Sequence, residues 1–272
     1  MNTYAGLSFS ELKSFLDEKY AQFNVSAFID DDPVSIPHRY RKRADIEIAA
    51  FLTATISWGN RKAIIKSASR MMELMEDSPY DFVMNFSAQD EKAVKGFVHR
   101  TFNAADFTVF LKGLRDIYEE HDSMESCFSD SIAEHGKTSY AISDFKQRFF
   151  SIPHAVRAEK HVSDPLSGSS AKRINMFLRW MVRKDKNAVD FGIWKRISPA
   201  HLSIPLDVHS GNVARHLGML MRKQNDARAV EELDEVLRKL DPSDPVKYDY
   251  ALFGLGAIEK WWAFIRKTWS RN

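Results

Sequence analysis

Apolar residues recur along this chain at helical spacing, and almost nowhere in the alternation that a half-buried strand requires. Phe9, Leu12, Phe15, Leu16 and Phe23 fall on one face of a first helix, and Ser8-Phe9-Ser10-Glu11 at its start has the form of a capping box. Residues 45–57 are largely apolar (Ile46, Ile48, Ala49, Ala50, Phe51, Leu52, Ala54, Ile56), which predicts a helix buried on most sides. Asn60 is placed to cap the next helix, running to about Met75 with Arg61, Lys62, Lys66 and Arg70 on its polar side. The same period covers 104–121, 124–135, 139–149, 171–184, 210–221, 227–240 and 245–269. With no alternating run bounded by Gly or Asn turns, the pattern predicts an all-α protein. Residues 153–165 and 198–205 are the main irregular stretches, and functional groups are expected in such loops. No internal repeat or low-complexity segment interrupts the pattern.

Composition narrows the class further. The 272 residues, 44% hydrophobic, 28% charged and 12% aromatic, suffice for a large core in one domain or two interlocked lobes. A formal net charge of +2 is too small to imply nucleic acid by itself, so any electrostatic footprint must come from local clusters. Cys127 is the only cysteine, which excludes an intramolecular disulfide framework and four-cysteine zinc or iron–sulfur sites. Met1–Gly6 has neither a basic nor an apolar leader segment, and no run approaches the ~18 apolar residues of a membrane helix. A cytoplasmic protein with no membrane partner is expected.

Two residues suggest chemistry. Lys172 follows Ser167-Gly168-Ser169-Ser170-Ala171 and opens a helix, whose positive end, with Arg173 beside it, favours an unprotonated amine. The Ser/Gly lead-in offers backbone N–H groups suited to a phosphate. Asp207, in Ile204-Pro205-Leu206-Asp207-Val208-His209, opens the next helix after a proline that enforces an extended approach. An anion there can stabilise an oxocarbenium-like transition state at a sugar carbon. The plainer readings are a solvated lysine and a capping aspartate. His209 and His216 lie two turns apart, which does not suit a shared metal ion.

Three basic clusters carry aromatic neighbours, namely His38–Arg43, Trp58-Gly59-Asn60-Arg61-Lys62 and His99-Arg100-Thr101-Phe102. Phosphates need Lys and Arg, and unstacked bases need aromatic faces, so this mixture suits a nucleic-acid groove. Leu178, Trp180, Met181, Phe191 and Trp194 read as core, as do Asp249 and Tyr250 in a packed C-terminal helix that ends at glycine. Cys127 reads as structural.

The segment Pro205-Leu206-Asp207-Val208-His209, followed by Val213-Ala214-Arg215-His216-Leu217-Gly218, resembles the one that carries the catalytic aspartate in helix-hairpin-helix (HhH-GPD) DNA glycosylases. Residues 45–54 are similar to that superfamily's early buried helix, and the Lys-to-Asp spacing is closer to the archaeal 8-oxoguanine branch than to the endonuclease III type. The whole chain looks more like a bacterial family of helical proteins without assigned function, distantly similar to that superfamily; its most distinctive stretch here is Lys172–Arg183.

The resemblance implies two helical lobes with a DNA cleft between them, one spanning 44–165 and the other 1–43 plus 166–272. It implies a DNA-repair glycosylase, with or without lyase activity, excising a damaged purine such as 8-oxoguanine flipped out of the duplex. Lys172 would be the Schiff-base nucleophile and Asp207 its assistant. Arg61, Arg100, Arg173, Arg215, Ser169 and Ser170 would contact DNA, while Trp58, Asn60 and Phe102 would stack on bases or wedge the duplex. No cofactor is implied, and a monomer is expected. The chain departs from the superfamily in three places: Ser167-Gly168-Ser169-Ser170 replaces the paired hairpin glycines, Thr55 does not match the intercalating Gln or Asn, and the cluster cysteines are absent. Two alternatives remain: a non-catalytic nucleic-acid-binding protein of the same fold, and an N-glycosidase acting on a small nucleoside-like substrate.

Overall fold

The structure is a computed structural model and describes residues 4–260. Among these residues the chain is mostly helical, with two short strands. Helix α1 (Phe9–Phe23) starts at its capping box, in which Ser8 Oγ accepts from the Glu11 amide at 3.3 Å and Glu11 Oε2 accepts from the Ser8 amide at 2.8 Å. A short α2 (Ala27–Asp30) and two 3₁₀ turns lead into α3 (Arg43–Thr55), buried from Asp45 through Thr55. Helix α4 (Arg61–Leu74) begins where Asn60 Oδ1 accepts from the Ala63 amide at 3.2 Å.

The next two helices, α5 (Pro79–Met84) and α6 (Ala88–Val94), are too short for a periodic signal. Local chemistry starts them: Pro79 in the first turn of one, and a Ser87/Asp90 capping box on the other. A tight hairpin then pairs β1 (Val98–His99) with β2 (Phe102–Asn103). The remaining helices are α7 (Ala104–Glu120), α8 (Ser126–His135), α9 (Thr138–Phe149), α10 (Lys172–Val182), α11 (Val208–His216), α12 (Ala227–Leu240) and α13 (Tyr248–Phe253).

The C-terminal pattern departs from the expected continuous helix over 245–269. It is a 3₁₀ turn at Pro245–Lys247, then α13, then a π-helical turn at Gly254–Ile258. Close packing accounts for the break: a Cβ at Gly254 would lie 2.2 Å from the Phe23 ring, and one at Gly256 would lie 2.7 Å from His209 O. The part of that expectation beyond residue 260 lies outside the described residues.

The buried side chains form one connected core. Phe51 on α3 packs against Phe110, Phe145, Phe149 and Phe177 with ring centroids 5.3–5.7 Å apart, joining α7, α9 and α10 to the central helix. Burying each such ring stabilises the fold by roughly 1.5–3 kcal/mol, with additional gain from edge-to-face geometry. At the other end α1 packs on α13, which in turn packs on α11, so the two ends of the described chain lie together. No described helix is long and apolar enough to cross a membrane.

Candidate functional site

Asp207 is held from three directions. Its Oδ1 accepts from the His209 amide at 2.8 Å, the Ser210 amide at 3.0 Å and Ser210 Oγ at 3.2 Å, while Ser210 Oγ accepts from the Asp207 amide at 3.0 Å. The carboxylate therefore caps α11 as the sequence predicts, and its Oδ2 has no hydrogen-bond partner among the described residues. Asn225 braces the same turn by donating to Asp207 O at 2.9 Å. It reaches that carbonyl because Gly211 has no Cβ, which would sit 2.8 Å from Asn225 Oδ1. Arg215 completes the brace, donating to Asn225 Oδ1 at 2.6 Å, Arg222 O at 2.7 Å and Gln224 O at 3.2 Å. This corrects the expectation for Arg215: its guanidinium is committed to the 222–225 loop and not offered to a phosphate.

Lys172 begins α10 behind a tightly turned loop. Asp164 Oδ1 accepts from the Leu166 amide and its Oδ2 from Ser167 Oγ, both at 2.9 Å, and Gly168 adopts φ +93°. Gly168 O accepts from the Ala227 amide at 3.1 Å, which fastens the loop to the start of α12. The helix opens at Ala171 with φ +46° and no side-chain cap, so its first-turn amides are available to an anion. Lys172, Met176 and Arg179 follow at helical spacing and all face one cleft, where Lys172 Nζ lies 3.5 Å from Met176 Sδ.

That cleft, about 760 Å³ in volume, also contains Asp207, Trp58, Arg61, Arg173, Ser169 and Ser170. The structure thus brings together Lys172 and Asp207 and five of the other expected site residues. It adds three that the sequence reading did not place there: Asp32, Arg179 and Asp249. Both new carboxylates are deeply set, 8% and 6% exposed. Burial raises the Asp32 acid above its ordinary value, while the Val34 amide and the charges of Arg61, Arg179 and Lys172 act the other way. Burial likewise pushes Asp249 up to about 6, opposed by Arg179 and Lys172 and reinforced by the negative charge of Asp207. Arg179 forms a buried ion pair with Asp249 and donates to Tyr250 OH at 3.3 Å.

Several of the expected residues, inside the cleft or out of it, have other partners. Phe102 is fully buried, wedged among Phe97, Phe107, Phe110 and His161. Its ring is core, which corrects the expectation of base stacking. Arg173 donates to Thr55 O and Lys160 O and lies 4.8 Å from the Trp58 ring centroid. Burial alone lowers its guanidinium to about 10, and no carboxylate pairs with it among the described residues. It supports the 55–58 backbone rather than reaching out to a phosphate. Trp58 is half-buried in the cleft wall, stacked on His161 at 5.9 Å and edge-on to His99 at 5.2 Å. Asn60 is exposed and caps α4 outside the cleft. Arg100 sits exposed at the tip of the β1–β2 hairpin with φ +53°, its guanidinium lying over Gly59. Among the described residues no group of three His, Cys, Asp or Glu side chains is placed to hold a metal ion.

A signal for the missed residues was present but ambiguous. Asp249 stood in an apolar helix and read as core, which by burial it is; only the approach of α10 and α11 makes it a cleft residue. Asp32 lay in an acidic run before Pro33, where its local role is to accept from the Val34 amide at 3.1 Å.

Fold and site together define a mostly helical protein in which an amine and three carboxylates share a cleft at the starts of two helices. The chain belongs to a family described as protein of unknown function (DUF2400), which matches residues 32–258. No curated protein and no solved structure matches it.

Proposed function

We propose that this protein cleaves the N-glycosidic bond of a damaged purine in DNA. The neutral Lys172 amine attacks C1′ and the bond to the base breaks with its electron pair leaving on the base; the C1′–O4′ bond then opens, the two amine protons pass to the base and to O4′, and the sugar stays joined to the lysine as a Schiff base. The fixed Asp207 anion stabilises the positive charge that builds on the sugar. The observation that carries this reading is the convergence of Lys172 and Asp207, distant in sequence, on one cleft whose volume suits a single nucleotide. Arg61 in the cleft and Arg100 on the adjacent hairpin are the expected phosphate contacts.

The test is borohydride trapping on oligonucleotides carrying 8-oxoguanine, other purine lesions or an abasic site, with a parallel assay of base release. A covalent adduct formed by wild type and lost in Lys172→Ala is expected. Neither adduct nor released base on any substrate would overturn the reading.

One observation favours a second reading, hydrolysis of a small nucleoside-like substrate. Arg173 and Arg215, two of the four arginines expected on DNA phosphates, spend their guanidiniums on backbone carbonyls. Chromatographic release of free base from nucleosides, without adduct on DNA, would select this alternative.

A further inference from the structure

We propose that a second cavity, which shares Ser169 and Ser170 with the Lys172 cleft, binds a short aliphatic polyamine. This site stands whatever chemistry the cleft performs.

The cavity, about 430 Å³ in volume, lies between the start of α9, the loop before α10 and one face of α12. Its size falls in the range of small-molecule sites. Ala227, Val230, Glu231, Asp234, Glu235 and Arg238 supply the α12 face, three or four residues apart as one side of a helix requires.

Asn175, on α10, calls for a donor. It lines the cavity and is 3% exposed. Its Nδ2 donates to Ser170 O at 3.1 Å, which fixes the amide, and its Oδ1 has no hydrogen-bond partner among the described residues. A buried acceptor left without a donor is unfavourable, and a ligand N–H supplies what the chain does not.

The carboxylates call for positive charge. Asp234 is also 3% exposed; its Oδ1 accepts from the Ile204 amide at 3.0 Å and its Oδ2 lies 3.6 Å from Arg238 Nη1. Burial pushes Asp234 up to about 6, opposed by Arg238, the Ile204 amide and Ser203, so the group is ionised at pH 7.5 and gains from a nearby cation. Arg238 meets that need only in part, because its Nε and Nη2 donate to Ala200 O at 3.3 Å and Leu202 O at 2.9 Å. Glu231 and Glu235 are exposed and have neither a hydrogen bond nor an ion pair among the described residues. The other lysine or arginine lining the cavity, Lys137, is exposed and likewise pairs with no carboxylate among the described residues.

An alkylammonium satisfies both demands, since it is all donor and carries the charge. Ile142, Pro165, Leu166 and Val230 add apolar surface for the methylenes of its chain. Glu231 and Glu235 stand one turn apart, roughly 6 Å along the axis, which is the span of a four-carbon diamine. A neutral polyol would leave the carboxylates uncompensated. A metal ion fits less well, because no group of three His, Cys, Asp or Glu among the described residues is placed to hold one.

Isothermal titration of the free protein with spermidine at pH 7.5 and low salt tests the site. Saturable one-to-one binding is expected, about tenfold weaker in Asp234→Asn and in the double variant Glu231→Gln/Glu235→Gln. The two glutamates are exposed, so the double variant keeps the fold and the test stands even if Asp234→Asn does not. Asn175→Ala should weaken binding about fivefold, and hydrogen exchange should slow over 166–171 and 201–203. Asp207→Asn, in the neighbouring cleft, should bind as wild type does. No saturable heat up to about 10 mM, equal weakening in Asp207→Asn, or equal binding of magnesium ion or sorbitol would overturn the proposal.

Discussion

Glu47 and Asp249 are both buried acids, 0% and 6% exposed, in very different company. Glu47 sits on α3 with five donors: Arg43 Nε at 2.9 Å, Tyr118 OH at 2.7 Å, Ser123 Oγ at 2.7 Å, the Met124 amide at 3.0 Å and Trp194 Nε1 at 2.8 Å. Those donors come from α3, α7, the turn before α8 and the segment after α10, so one carboxylate ties four parts of the chain together. Asp249 has only Arg179, and burial pushes it up to about 6. A buried charge with every lone pair occupied holds structure, whereas one left part-satisfied at a cleft is available for chemistry.

The largest effect is expected at Glu47. Glu47→Ala leaves Arg43 and four other donors facing a hole, and is expected to cost about 3–5 kcal/mol in urea unfolding. A loss below about 1 kcal/mol would show that the five donors do not act as a unit.

Asp249 predicts a pH dependence of definite sign. Its folded acid lies above the ordinary value of 3.8, so the native state binds the proton more tightly and stability falls as pH rises between about 4 and 6. Over that window wild type should lose about 3 kcal/mol relative to Asp249→Asn. Parallel stability curves for the two proteins would remove the contrast with Glu47.

Asp207 combines both kinds of duty, and two substitutions separate them. Asp207→Ala should lower stability by about 1 kcal/mol through loss of the α11 cap. Asp207→Asn keeps a capping oxygen, so thermal melting should change little while base release falls. Equal losses of activity and stability in both variants would mean that the carboxylate acts only as a cap.

The smallest effect belongs to Arg100. Exposed at the hairpin tip, it should contribute within about 0.5 kcal/mol to stability. Arg100→Ala is nonetheless expected to reduce the salt dependence of DNA binding by about one unit of slope. An unaltered slope would take Arg100 out of the interface.

Much of this arrangement is legible in the sequence where the cause is local. Ser8 with Glu11, Asn60 and Asp207 each announce a helix start, because a capping side chain reaches amides within three residues of itself. Helices α3, α7 and α12 follow from apolar periodicity over thirteen or more residues. Where distant packing decides, the local pattern is compatible with more than one outcome. Phe102, in a basic and aromatic cluster, reads equally well as a base-stacking ring or as core, and α7 and His161 decide for core. Arg173 and Arg215 read as free cations because the carbonyls they bind lie in other segments of the chain. The C-terminal pattern continues as a helix on paper, but contacts of Gly254 with Phe23 and of Gly256 with His209 set its true geometry.

Local sequence makes the protein helical, sets where most of its helices begin, and puts Lys172 and Asp207 each at a helix start. Those properties depend on hydrogen bonds and periodicities within a few residues. Tertiary packing brings the two starts to one cleft, adds Arg179 and Asp249 to its lining, and commits Arg173 and Arg215 to backbone carbonyls. Each of these depends on desolvation and charge contacts between segments far apart in the chain, and burial is a property of the packed molecule, not of any single stretch.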